Sequence, residues 1–232
     1  FRFCGWVIPW LWAAFLGLAA WGLWWGLFRA PPDYLQGESV RIMYVHVPSA
    51  WMSMLIYALM ALFSIGALVW HVRAAEVLAT ASAPIGAAFT LLALVTGSLW
   101  GRPTWGTYWI WDARLTSELV LLFLYLGVMG LYNAFDEPRK GARAAALLSI
   151  VGLVNLPIIH YSVVWWNTLH QPGSVGVTGS SIHPDMLWPL LIMALATKFY
   201  YGANLLTRTR VRLLEENRNR RWVRNWILGE SA

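Results

Sequence analysis

Six apolar runs of about 20 residues each constrain this chain more than any other feature. They lie near Trp6–Phe28, Ala50–Trp70, Val77–Leu99, Leu115–Phe135, Ala144–Trp165 and Pro184–Leu206. A helix of that length spans the hydrocarbon core of a bilayer, so the fold expected is an all-α integral membrane protein with six transmembrane helices. Composition agrees: 59% of residues are hydrophobic and 12% charged, where a soluble domain carries about a quarter charged. The 232 residues leave no room for a separate soluble domain. The expected organisation is a six-span domain over 1–206, with a Trp-rich loop at 100–114, and a basic tail over 207–232. The first run lacks a small-residue cleavage site and reads as a retained span. The chain opens on Phe1 rather than Met, which suggests a missing N-terminal piece. The single cysteine, Cys4, has no partner for a disulfide, a cysteine metal site or a thioether-linked cofactor.

Charge orients the spans. Arg2, Arg73, Arg139, Lys140, Arg143 and the seven arginines from Arg208 to Arg224 fall on the side of the termini; Arg29, Arg41, Arg102 and Arg114 fall on the other. Twelve against four places both termini in the cytoplasm. The longer connections, Arg29–Ser49, Trp100–Arg114 and Trp166–His183, then face outwards and carry His46, His170 and His183. The tail reads as a helix on anionic lipid with Trp222 and Trp226 as anchors. Its charge is assigned to the membrane and not to nucleic acid.

The segment Trp100–Leu121 (WGRPTWGTYWIWDARLTSELVL) places Trp100, Trp105, Trp109 and Trp111 with Tyr108 among Gly101, Pro103 and Gly106. Gly and Pro disfavour a regular helix, so an irregular shelf walled by flat aromatic faces is expected, suited to a large flat ligand. Trp6, Trp10, Trp24, Trp25, Trp165 and Trp166 sit at span ends and read as an interfacial belt.

Two outward histidines, His46 before span two and His170 after span five, flank the shelf from separate loops. Imidazole is a common ligand for haem iron, and two can approach from opposite faces of a porphyrin. His183, followed by Pro184 and Asp185, reads as a helix start and a reserve ligand. His160 lies deep in span five, as a contact between helices or a second cofactor ligand. For the propionates of a haem the candidates are Arg41 and Arg114, because a guanidinium fork matches a carboxylate; Arg102 is an alternative. Glu118, four residues after Arg114, is expected to orient it, and Asp112 to cap span four or pair with Arg102. Neither carboxylate has the neighbours needed for hydrolysis, so no independent catalytic activity is assigned.

The segment WGRPTWGTYWIWDARLTSELVLLFLY resembles the tryptophan-rich signature of the WWD superfamily of haem-handling proteins. Together with RIMYVHVPSAW, VVWWNTLHQPGS and six spans, the chain is similar more narrowly to the family of cytochrome c maturation protein C, also called haem exporter protein C. The resemblance implies a bacterial inner-membrane protein of c-type cytochrome biogenesis. It implies non-covalent haem b on the outer face, lying on Trp100, Trp105, Tyr108, Trp109 and Trp111, with His46 and His170 as axial ligands and Arg41 and Arg114 on the propionates. It implies as partners a membrane-anchored periplasmic haem chaperone, the subunits of an ATP-binding cassette complex and a small single-span accessory protein. The chain has no phosphate-binding loop of the G-x-x-x-x-G-K-[ST] type, so ATP hydrolysis would belong to another chain. Two other readings predict different features: a b-type electron-transfer subunit needs paired intramembrane histidines, and a haem transporter needs a polar midplane site.

Overall fold

The computed structural model describes residues 1–171, 173–176 and 179–228. Eight α-helices carry the fold: α1 (Arg2–Trp24), α2 (Met43–Val69), α3 (Arg73–Trp105), α4 (Ala113–Asn133), α5 (Pro138–Val151), α6 (Asn155–Trp165), α7 (Pro184–Glu216) and α8 (Arg221–Leu228). Six helical segments among the described residues are long and apolar enough to cross a membrane; α5 and α6 together form the fifth. A short antiparallel pair, β1 (Val175–Gly176) with β2 (Gly179–Ser180), sits in the connection before α7.

Packing places α2 and α3 at the centre. α3 meets α2, α4 and α7, while α1 leans on α7. The principal core joins Met52, Ile56, Tyr57 and Met60 of α2 to Ala81, Ile85 and Phe89 of α3 and to Leu121 and Tyr125 of α4. Gly86 of α3 is required there, because a Cβ at that position would overlap the Tyr125 ring. Serines on these helices return their hydroxyls to their own helix, as Ser49 does to the Val45 carbonyl, so no polar group is stranded by their burial.

The fifth span is broken. Gly152–Val154 form a turn of 3₁₀ helix between α5 and α6. Pro157 lies just beyond and has no N–H to donate to the carbonyl of Leu153, which accounts for the local tightening. A second, smaller core closes one end of the bundle. It joins Ala30, Val40, Met43 and Tyr44 to Met186, Leu190 and Met193 of α7, with Trp100 packed against it.

Two sequence boundaries move. α3 continues through Gly101 and Pro103 to Trp105, so Trp100 and Trp105 stand on a helix end and the irregular stretch begins at Gly106. Gly106 ends the helix in the left-handed conformation, at φ 79°, with its N–H on the Arg102 carbonyl. α7 runs through 206 to Glu216, so the first ten residues of the basic tail prolong the sixth span. Those residues are tied down: Arg212 lies over the Tyr132 ring at 4.3 Å and Glu216 pairs with Arg73 at 2.8 Å. Trp222 and Trp226 meet Phe1 edge to face at 5.6 and 5.0 Å, which anchors the tail on the N-terminus.

Candidate functional site

The end of the bundle closed by the second core collects almost every residue singled out in the sequence. His46 lies in the first turns of α2, with Pro48 already inside that helix. Its Nδ1 is 3.0 Å from the Ala93 carbonyl and 3.2 Å from Thr96 Oγ1, both on α3. A carbonyl only accepts, so Nδ1 carries the proton and Nε2 keeps a free lone pair. The ring lies edge-on to Trp100, with centroids 5.6 Å apart. Gly97 makes this approach possible, since a Cβ there would stand 2.8 Å from the His46 ring carbon.

His170 is built the same way from other parts. It follows α6 on a short strap, and its Nδ1 is 3.2 Å from Asp112 Oδ2. A carboxylate again fixes the proton on Nδ1 and leaves Nε2 as an acceptor. Trp105 meets this ring edge-on at 4.6 Å. Burial pushes the His170 imidazole below its ordinary pKa, and the Asp112 carboxylate pulls it the other way. Asp112 also caps α4, its other oxygen accepting from the Leu115 N–H at 2.8 Å. The cap is therefore as expected, but the second partner of Asp112 is His170. Arg102 instead donates to the Gly106 carbonyl and lies over Tyr108 at 5.7 Å.

The aromatic residues divide into walls and rim. Trp100 donates its indole N–H to Gln36 Oε1 at 2.9 Å, which pins the first connecting loop to the end of α3. Trp109 and Trp111 meet edge to face at 5.4 Å. Trp111 and Tyr108 are exposed, whereas the Trp109 indole N–H is buried without a partner among the described residues. Such an orphaned donor costs about 1–3 kcal/mol, which an acceptor on a ligand would offset.

The two arginines differ. Arg41 is largely committed: one of its terminal nitrogens donates to the carbonyls of Gly26 and Ala30 at 2.8 and 3.2 Å, and Nε pairs with Glu38. Arg114 is half-buried in the first turn of α4, with no hydrogen bond or ion pair within reach among the described residues. It acts electrostatically on both histidines. Glu118 does not pair directly with it. The carboxylate is buried and accepts from Ser53 Oγ of α2 at 2.7 Å.

The remaining histidines lie apart. His183 caps α7, its Nδ1 accepting from the Asp185 N–H at 3.3 Å. His160 is exposed on α6, edge-on to its neighbour Tyr161 at 4.7 Å, rather than buried between helices. Of the residues around the two site histidines, Ala93, Thr96 and Gly97 escaped the sequence reading, and Asp112 was read as a cap with Arg102 as its alternative partner. The glycine in an otherwise apolar run was the one available signal for the first three.

The profile of the family described as Heme exporter protein C matches residues 1–224. A Heme exporter protein C of Bradyrhizobium diazoefficiens is 54% identical over 217 residues, covering 90% of this chain and 82% of its own. The protein of that name from Escherichia coli K12 is 52% identical over 228 residues, covering 98% and 92%. A mitochondrial protein of Marchantia polymorpha, provisionally named for cytochrome c biosynthesis, is 46% identical over 193 residues, covering 83% and 82%. With half of its residues shared along almost its whole length, the chain belongs to the haem exporter protein C family.

Proposed function

We propose that this protein holds haem b non-covalently at the end of the bundle bearing His46 and His170, and presents it to a membrane-anchored haem chaperone during c-type cytochrome biogenesis. The observation that carries the reading is the matched pair of imidazoles. Each has its Nδ1 tied to an acceptor, its Nε2 free and a tryptophan edge-on to its ring. Fixing one ring nitrogen by a hydrogen bond is the usual way a protein orients an imidazole for a metal.

Haem would supply an iron that accepts imidazole nitrogen and a reactive edge for the chaperone. The chain's own residues do the rest. His46 and His170 supply Nε2 from two separate elements. Trp100 and Trp105 hold the imidazoles, and Tyr108, Trp109 and Trp111 offer flat faces and one unpaired N–H. Arg114 has its donors available for a propionate. Arg41 keeps a second terminal nitrogen for that task while tying the first loop to the end of α1. The positive-inside bias supports a periplasmic position for this end, with the termini in the cytoplasm of a bacterial inner membrane. A cassette ATPase and a small single-span protein fit as partners, since this chain has no nucleotide loop of its own.

The test is haem per protein, with Soret and α-band spectra, for His46→Ala and His170→Ala purified from haem-replete cells. Each variant is expected to lose haem and its low-spin spectrum, with exogenous imidazole restoring part of it. Wild-type content and spectra in both variants would overturn the ligand assignment.

A further inference from the structure

The two ligand histidines stand on elements that barely touch each other, so something must set the gap between them. The first turns of α4 make that connection. Asp112 reaches His170. Ser117 offers its backbone carbonyl to Asn155 Nδ2 of α6 at 2.9 Å, and α6 leads directly into the strap that carries His170. Glu118 accepts from Ser53 of α2 at 2.7 Å. Ser53 is seven residues beyond His46, on the same face of that helix and about 10 Å along it. Tyr125, two turns further down α4, donates to the Ser53 carbonyl at 2.7 Å and doubles the tie. Glu118 in turn lies one turn below Arg114 on a shared face of α4. One dipeptide, Ser117–Glu118, therefore touches the helix of the first histidine and the helix leading to the second, one turn from Arg114.

A buried carboxylate is an expensive way to hold two helices together, and an apolar side chain of equal size often does so at no loss of stability. A hydrogen bond, by contrast, fixes distance and direction. From this we infer that Glu118 and Asn155 are positioning residues: their bonds to Ser53 and Ser117 set the spacing of His46, His170 and Arg114 to the dimensions of the haem they hold. The inference rests on the haem reading above.

The geometry supplies a substitution that separates positioning from folding. Ser53 Oγ also lies 2.8 Å from the Ala50 carbonyl, so losing Glu118 does not strand its hydroxyl. Glu118→Met fills the volume without the acceptor, and Glu118→Gln keeps an oxygen for Ser53. Asn155→Leu removes the second tie independently; the Ser117 carbonyl retains its place in the helix ladder.

The experiment uses the full chain in detergent. It measures apo-protein melting, the Soret and α-band spectra of the haem-loaded form, and the rate of haem transfer to apomyoglobin. Glu118→Met and Asn155→Leu are expected to melt close to wild type, yet to release haem about tenfold faster or more, with a partial high-spin band. Glu118→Gln is expected to restore wild-type release and spectrum. Wild-type release and spectra in both Glu118→Met and Asn155→Leu overturn the inference, as does a Glu118→Gln protein that behaves like Glu118→Met. His46→Ala is run beside them. If it too releases haem as wild type does, the haem site itself fails and takes this inference with it. If only His46→Ala is impaired, the positioning role alone falls.

Discussion

Small residues and single hydrogen bonds control the candidate site more than its tryptophans do. Gly97 is the clearest case, because only a missing side chain lets the His46 ring settle against the Ala93 carbonyl. Gly97→Ala is expected to push the ring off its acceptor and weaken haem retention about 10- to 100-fold, read as haem per protein after dialysis against apomyoglobin. Acid sensitivity belongs to His170. Its folded-state pKa lies below the unfolded one, so the neutral form persists as pH falls through about 6.5 and haem is lost only below that range. By the same linkage, the stability tied to this group is complete above the unfolded value and is lost as pH drops towards the folded value. Asp112→Asn keeps a single acceptor oxygen, so the cap on the Leu115 N–H and the bond from Nδ1 do not both survive, and it removes the charge that raises the pKa. The variant should hold haem more weakly at neutral pH, and the acid limb of a spectral titration should move to lower pH. The histidines stood out in the sequence because they flank the Trp-rich segment from separate connections; their partners did not, since a backbone carbonyl such as that of Ala93 leaves no mark in a residue code.

At the scale of elements, length and hydropathy were enough to find the spans, because a membrane crossing demands both at once. The ends were misread where packing overrides local preference. Pro103 costs α3 one hydrogen bond near its end, and Trp100, half-buried against the second core, holds that turn helical. The stretch after 206 looks like a tail by hydropathy, yet arginine is a good helix former and α7 simply continues. The α3–α4 contact gives a direct check. Gly86→Ala forces a methyl into the Tyr125 ring, which also anchors Ser53. Overpacking of this kind costs about 1–3 kcal/mol, so a lower unfolding midpoint in detergent is expected.

For the whole molecule, the charge asymmetry of the sequence and the clustering of the site agree. Twelve cations mark one end, and both candidate ligands stand at the other. Reporter fusions check the orientation. Alkaline phosphatase inserted between α1 and α2 should be active, and the same enzyme fused after α8 inactive; the reverse pattern would turn the site to the cytoplasm. The sequence suggested candidate side chains for this end, but not that α4 ties their elements together, since that depends on three helices meeting at Ser117–Glu118.

The partners of the two histidines are unlike: a carbonyl and a hydroxyl for His46, a carboxylate for His170. A carboxylate makes an imidazole the stronger electron donor to a metal. In the proposed haem site the pair would therefore act as a clasp with a firm jaw and a yielding one. On that reading His170 would be the stronger of the two ligands and His46 the one that yields first.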